Sequence, residues 1–141
     1  MALIDVGGSV RHGEELEVGK VDAWLRALLP QLSPGLPEVT QYSGGASNWT
    51  YRLKYASHDL ILRRPPAGTK AKSAHDMVRE YTVQDALKSV YPVVADMIGL
   101  CTDPSVIGCD FYVMRRLEGI IPRANLPKEL VLSEAQVRQL C

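Results

Sequence analysis

The fold is decided by the stretch from Val39 to Pro66, which reads VTQYSGGASNWTYRLKYASHDLILRRPP. Two runs rich in β-branched and aromatic residues flank a glycine-containing segment, and a short polar turn at 56–59 leads to a third apolar run. Pro65 and Pro66 end that run because neither residue has an N–H to donate to a sheet. Connections this short join neighbouring antiparallel strands, so the stretch predicts three consecutive strands.

Helical patterns lie on both sides of these strands. Apolar residues recur at helical spacing over 21–32, and the pair at 34–35, Pro-Gly, ends the pattern. A second helix is predicted to begin at a Ser73 cap, to carry Asp76 at its third position and to continue to Leu87.

Two more strands are predicted at 97–101 and 111–114, joined across a turn at Asp103 and Pro104. The expected fold is therefore α+β, with a five-stranded antiparallel sheet, one main packed helix and an additional N-terminal helix.

Composition excludes several classes of protein. The 141 residues are 46% hydrophobic and 23% charged, which is typical of one folded domain. Sixteen Lys and Arg against sixteen Asp and Glu give no net charge, which disfavours a nucleic-acid partner. No apolar run is long enough for a membrane span. Three cysteines without paired spacing, Cys101, Cys109 and Cys141, fit a reducing cytoplasm and no zinc site.

The glycine segment is the first candidate site. Gly44 and Gly45 would let the backbone approach a phosphate closely and direct N–H groups at it. Taken alone, the segment is more typical of a plain hairpin turn, and it matches neither the dinucleotide-binding nor the P-loop glycine pattern.

Arg63 and Glu80 form the second candidate site. Kinases hold the α- and β-phosphates of ATP with a cation on the third strand that pairs with a helix glutamate. A guanidinium stays charged and can donate two N–H groups to phosphate oxygens, so Arg63 suits that role. Each residue alone is equally compatible with a solvated surface position, and the prediction depends on the pair.

Several short segments in family order carry a resemblance to known proteins. They read SGGASN (43–48), LRRPP (62–66), AKSAH (71–75), REY (79–81), YPV (91–93), SVIG (105–108) and FYVM (111–114). From Val39 to about Asn125 the chain resembles the N-terminal lobe of the aminoglycoside phosphotransferase and choline kinase-like superfamily, which has the protein kinase-like fold. The branch it most resembles includes the kinase-like domain of certain acyl-CoA dehydrogenase family members.

The resemblance implies an ATP site. The implied ATP-binding residues are Gly44, Gly45, Ala46, Ser47, Asn48, Arg63, Glu80, Met114, Arg115 and Leu117. The first five would form the loop over the phosphates, and Glu80 would orient Arg63. Met114 would lie behind the adenine, with the Arg115 carbonyl and the Leu117 N–H on its edge. The residue after the methionine is commonly Glu in this branch, so Arg115 alters the charge there.

The resemblance also implies missing parts. No histidine here precedes Gly-Asp, so the catalytic aspartate and the Mg²⁺ ligands are expected in a C-terminal lobe outside the 141 residues. The expected organisation is a flexible N-terminal arm over 1–18, a kinase-like N-lobe over 19–118, and a hinge with the start of a linker helix over 119–141. That helix is predicted from a capping box at Ser133 and Gln136.

The implied function is the ATP-binding lobe of a small-molecule kinase that transfers the γ-phosphate to a hydroxyl acceptor. A non-catalytic nucleotide-binding or interaction module derived from a kinase lobe is the alternative. A third possibility, a structural domain unrelated to kinases, would place Arg63 and Glu80 on opposite sides of the sheet.

Overall fold

The chain folds into a five-stranded antiparallel sheet with helices, and it is described by a computed structural model over residues 6–43, 48–67, 76–120 and 125–140. The helices of this part are α1 (Val18–Leu28), α2 (Met77–Leu87), α3 (Pro104–Ile107) and α4 (Glu134–Leu140). Its strands are β1 (Glu38–Gln41), β2 (Trp49–Lys54), β3 (Asp59–Arg64), β4 (Met97–Cys101) and β5 (Phe111–Arg115). The predicted α+β class and the five antiparallel strands are confirmed.

The strand order is β1-β2-β3-β5-β4, so β5 lies between β3 and β4. Every neighbouring pair is antiparallel. Leu62 lies opposite Tyr51 of β2 and opposite Val113 of β5. This register sets which side chains share a face, because successive residues of a strand point to opposite sides.

One face of the sheet forms the hydrophobic core with α1. Leu60, Leu62, Phe111 and Val113 are fully buried there with Leu25 of α1. The Trp24 ring of α1 meets the Phe111 ring edge to face at 4.9 Å. Gly99 allows this close approach, since a Cβ at that position would lie 3.1 Å from the Trp24 ring and 2.7 Å from a Leu28 methyl.

The opposite face carries the candidate site and α2. Residues that alternate with the core positions, among them Ile61 and Arg63 of β3 and Tyr112 and Met114 of β5, point to this side. α2 packs beside β4 and β5. Among the described residues of α2, Met77 is the one that is buried.

The structure describes residues 6–18 of the N-terminal segment, which the sequence predicts to be a flexible arm over 1–18. Gly8 pairs with Gln41 at the edge of β1, and Leu16 packs into the core at 9% exposure. The Tyr51 hydroxyl donates to the Glu14 carbonyl, and the Gln41 amide donates to the Glu14 carboxylate. Residues 8–16 are thus attached to the sheet by backbone and side-chain hydrogen bonds.

Three local features differ from the predictions. α1 begins at Val18 and ends at Leu28, earlier than the pattern over 21–32 indicates. Asp76 is the N-cap of α2, and not its third residue, because its carboxylate accepts the Arg79 N–H at 2.9 Å. The predicted Ser73 cap lies outside the described residues. Between β4 and β5 the short helix α3 starts at Pro104, where a missing N–H costs nothing.

The described residues form two compact units, of which the sheet unit spans Gly7–Leu117. The other contains the residues from Glu118 onward, and its helix α4 begins with the predicted capping box: Ser133 Oγ accepts the Gln136 N–H while Gln136 Oε1 accepts the Ser133 N–H. In the part of the chain that is described, no helix combines the length and the apolar character needed to cross a membrane.

Candidate functional site

The end of the glycine segment and Arg63 meet at one end of the sheet. β1 ends at Gln41 and β2 begins at Trp49, and the start of β2 pairs with the end of β3. Trp49 is opposite Arg64, and Thr50 is opposite Arg63. Gly44, Gly45, Ala46 and Ser47 lie outside the described residues, whereas Asn48 is seen at the entry to β2. The register therefore places Arg63 one residue pair from the point where the segment enters the sheet.

Arg63 and Glu80 form an ion pair between β3 and α2. The Arg63 NH1 atom is 3.2 Å from Glu80 Oε2, and the two side chains are 30% and 27% exposed. Both residues therefore lie on the same side of the sheet. A structural domain unrelated to kinases would have placed them on opposite sides. Partial burial strengthens the attraction relative to a fully solvated pair.

Glu80 also accepts hydrogen bonds from two other side chains. The Asn48 amide donates to Oε1 at 3.0 Å, and the Tyr112 hydroxyl donates to Oε2 at 3.0 Å. Asn48 is 4% exposed and Tyr112 is fully buried. The carboxylate is thus held at once by Asn48, which precedes β2, by Arg63 of β3 and by Tyr112 of β5, which fixes its orientation.

Tyr112 connects the ion pair to the next turn of α2. Its hydroxyl accepts a hydrogen bond from Gln84 Nε2 at 3.1 Å and a longer one from Arg63 NH1 at 3.4 Å. Gln84 lies one helical turn after Glu80 and also donates to the Glu80 carbonyl at 3.2 Å. Burial raises the pKa of the Tyr112 phenol, so the hydroxyl keeps the hydrogen that it donates to Glu80.

Arg63 uses only part of its donor capacity within this cluster. Its contacts to Glu80 and Tyr112 both go through NH1. Its Nε is buried and has no hydrogen-bond partner within the described ranges. A guanidinium carries five N–H donors, and an unpaired buried one is unfavourable until an acceptor is supplied.

Met114, Arg115 and Leu117 lie at the other end of β5. Met114 is half-buried and stands between Ile61 of β3 and Met97 of β4, on the same face as Arg63. The Arg115 N–H donates to the Asp96 carbonyl at 2.9 Å. Leu117 is 62% exposed. The Met114 side chain thus offers an apolar surface on this face, on which an aromatic base can pack.

An ion network fixes the backbone at this end of β5. Asp59 receives two hydrogen bonds from Arg52, at 2.8 Å and 2.7 Å, and its Oδ2 is 3.4 Å from Arg116 NH1. Arg116, whose side chain is 6% exposed, also donates to the Tyr42 hydroxyl at 3.1 Å. The Arg52 hydrogen bond, against some opposing desolvation, keeps the pKa of Asp59 below its usual value.

The structure brings together Asn48, Arg63 and Glu80 and places Met114 on the same face. Tyr112 and Gln84 were not predicted from the sequence to be site residues. The signal for Tyr112 was its alternation: Phe111 and Val113 enter the core, so the residue between them points toward Arg63 and α2. The signal for Gln84 was its spacing of one helical turn from Glu80.

Comparison with known proteins bears on this geometry. A profile described as "Phosphotransferase enzyme family" matches residues 38–141. A solved structure assigned as an aminoglycoside phosphotransferase, from Ralstonia eutropha JMP134, superimposes with a TM-score of 0.62 at 29% identity, covering 82% of this chain and 31% of that one.

Two curated relatives are acyl-CoA dehydrogenase family members. Member 11 from Gallus gallus is 38% identical over 91% of this chain, and member 10 from Mus musculus is 39% identical over 79% of it. The matched region is 17% and 10% of the length of these two proteins. The chain is therefore similar to one part of much longer proteins.

Proposed function

Because the chain belongs to the phosphotransferase enzyme family and has its kinase-like fold, we propose that it is the ATP-binding lobe of a small-molecule kinase. The observation that carries the proposal is the Arg63–Glu80 ion pair across β3 and α2. In kinases the corresponding cation and glutamate hold the α- and β-phosphates. Arg63 would bind phosphate oxygens with the donors that Glu80 and Tyr112 do not occupy.

The spacing of the candidate residues suits an extended nucleotide. Along β5, Tyr112 and Arg115 are three residues apart, which corresponds to about 10 Å at the usual rise of a strand. Adenine at Met114, with the Arg115 carbonyl and the Leu117 N–H on its edge, would leave the phosphates near Arg63. Gly44, Gly45, Ala46 and Ser47 would then cover the phosphates with backbone N–H groups, as glycine-rich loops do.

In the proposed reaction the acceptor hydroxyl oxygen forms a bond to the γ-phosphorus, and the bond to the β–γ bridging oxygen breaks. The hydroxyl proton passes to a base, and ADP leaves with the bridging oxygen. Arg63 neutralises charge on the nucleotide phosphates and positions them. Mg²⁺ supplies further neutralisation in this chemistry, and we propose that its ligands and the base come from a C-terminal lobe.

Nucleotide affinity tests the assignment. We expect Arg63→Ala and Glu80→Ala each to weaken ATP binding at least about tenfold in the full-length protein, as for loss of a charge-assisted hydrogen bond. Lys20→Ala is the matched control, because Lys20 of α1 pairs with Glu17, the residue before that helix, and α1 packs on the opposite face of the sheet. Unchanged affinity in both variants would contradict the proposed site.

Phosphoryl transfer is tested separately, by incubating the full-length protein with γ-labelled ATP and hydroxyl-bearing small molecules. Label transfer supports the kinase. If the protein binds ATP but neither hydrolyses it nor transfers label to any acceptor tested, the result would instead support the non-catalytic nucleotide-binding module.

A further inference from the structure

The Tyr112 hydroxyl uses its whole hydrogen-bonding capacity within the candidate site. A phenolic hydroxyl has one hydrogen to donate and two lone pairs to accept with. Here the hydrogen goes to Glu80, and the lone pairs face Arg63 and Gln84. A buried hydroxyl with every position filled holds its partners in one arrangement.

We propose that Tyr112 is a positioning residue for nucleotide binding, which acts by holding the Glu80 carboxylate so that Arg63 is fixed with its remaining N–H groups free for phosphate. The proposal rests on the function proposed above and adds a residue to it. Tyr112 touches neither the phosphates nor the acceptor in this arrangement. Its effect passes through Glu80 to Arg63.

The sheet register supports this role. Arg63 and Tyr112 are directly opposite each other on β3 and β5, so their side chains leave the sheet side by side on the face of α2. Glu80 reaches both from above, with Oε2 at 3.2 Å from Arg63 NH1 and 3.0 Å from the Tyr112 hydroxyl. The three groups form a closed triangle, in which the hydroxyl limits the rotation of both charged side chains.

Tyr112 also fixes α2 at two successive turns. Its hydroxyl contacts Glu80 and Gln84, and its ring meets the Tyr81 ring edge to face at 6.2 Å. A displacement of α2 along its axis would break these contacts together. Because Arg63 depends on Glu80, the axial position of α2 determines whether Arg63 is held in place.

The test is Tyr112→Phe in the full-length kinase, which removes the hydroxyl and keeps the buried ring. We expect KM for ATP to rise about three- to tenfold, as for loss of one buried hydrogen bond, with KM for the acceptor unchanged. Tyr81→Phe is the matched control, because Tyr81 lies beside Tyr112 but outside the triangle. An unchanged KM for ATP in Tyr112→Phe would overturn the proposal.

A double-mutant cycle separates positioning from a general structural effect. If Tyr112 acts through Glu80, Tyr112→Phe has little further effect on ATP affinity in a Glu80→Gln background. Equal effects in both backgrounds would show that Tyr112 does not act through the pair. If Arg63→Ala itself leaves ATP affinity unchanged, the proposed function fails first, so the two failures are distinguishable.

A second variant covers the case in which Tyr112→Phe does not fold. Gln84→Glu places a carboxylate beside the hydroxyl, which then competes with Glu80 for its single hydrogen. We expect KM for ATP to rise in this variant as well. Thr82→Glu adds the same charge on the exposed side of α2 and is the control for charge alone. Equal KM values in these two variants would count against the proposal.

Discussion

Asp59, the first residue of β3, and Arg116, the residue after β5, form an ion pair of 3.4 Å between segments that are far apart in the chain. Arg116 is the more buried partner, at 6% exposure against 34% for Asp59. The pair fixes the residue that follows β5 to the start of β3. The Arg115 and Leu117 backbone groups proposed to contact adenine flank this anchor.

Asp59→Asn should destabilise the protein at neutral pH by about 1–2 kcal/mol, because the charge-assisted hydrogen bonds from Arg52 and the ion pair with Arg116 lose their carboxylate. The pKa of Asp59 is lowered in the folded state, chiefly by Arg52, so its stabilisation is present above the unfolded pKa of about 3.9. It is lost as the pH falls through the folded pKa. Urea unfolding at pH 7 and at low pH measures this, with exposed Asp85→Asn as the control. A pH-independent difference would contradict the prediction.

Arg63→Lys should retain most of the affinity for ATP, whereas Arg63→Gln should lose it. The contacts of Arg63 to Glu80 and Tyr112 go through one nitrogen, which a lysine ammonium can replace. A neutral amide supplies no charge for the phosphates. Calorimetric titration with ATP measures both variants, and equal affinities would show that charge at position 63 is not what binds the nucleotide.

Gly99→Val should destabilise the sheet unit by about 2 kcal/mol, because the new side chain would overlap α1. The nearest atoms are a Leu28 methyl and the Trp24 ring. Combining Gly99→Val with Leu28→Ala should recover part of the loss, since the leucine end is then absent. Gly19→Ala is the control, because a Cβ at this position in α1 would meet no atom within 4 Å. This variant should leave stability unchanged or raise it. Denaturant unfolding of these three variants and of the single variant Leu28→Ala measures the effects, and a purely additive double variant would count against the contact.

Tyr55→Phe should cost about 1–2 kcal/mol, because the Tyr55 hydroxyl donates to Asp22 at 2.8 Å in a buried contact. Asp22 is 9% exposed and in turn pairs with Arg26 at 2.8 Å. Tyr91→Phe removes a hydroxyl at a position that is 58% exposed and should change stability little. Thermal unfolding of the two variants checks the prediction; equal midpoints would refute it.

The strands were predictable from the sequence because their side chains alternate with a period of two residues and because turn residues mark their ends. Apolar runs bounded by glycine or proline identify β2 and β3, and the register of β2 on β3 follows from the short turn at 56–59. The Arg63–Glu80 pair was predictable because a cation on the third strand followed by a glutamate in the next helix matches the pair with which kinases hold phosphates.

The contacts of Tyr112 were not predictable in the same way. They depend on β5 lying beside β3, and strand order between non-consecutive strands is not encoded in local periodicity. α2 adds to the difficulty, since Val83 and Leu87 are 51% and 41% exposed while Glu80 and Gln84 face the sheet. The assignments of Gly44, Gly45, Ala46 and Ser47 fall outside the described residues and stay predictions.

The alternation of core-facing and site-facing side chains along β3 also disfavours pairing of this strand in a wrong register. Leu60 and Leu62 enter the core, while Ile61 and Arg63 face α2. If β3 paired one residue out of register, Arg63 would enter the core and Leu62 would leave it. A chain with this register would lose stability, because a charged side chain would be buried in the core and an apolar one exposed. A molecule whose β3 is shifted by one residue therefore cannot keep this core, and purified protein that melts cooperatively at full stability should hold β3, and with it Arg63, in the native register.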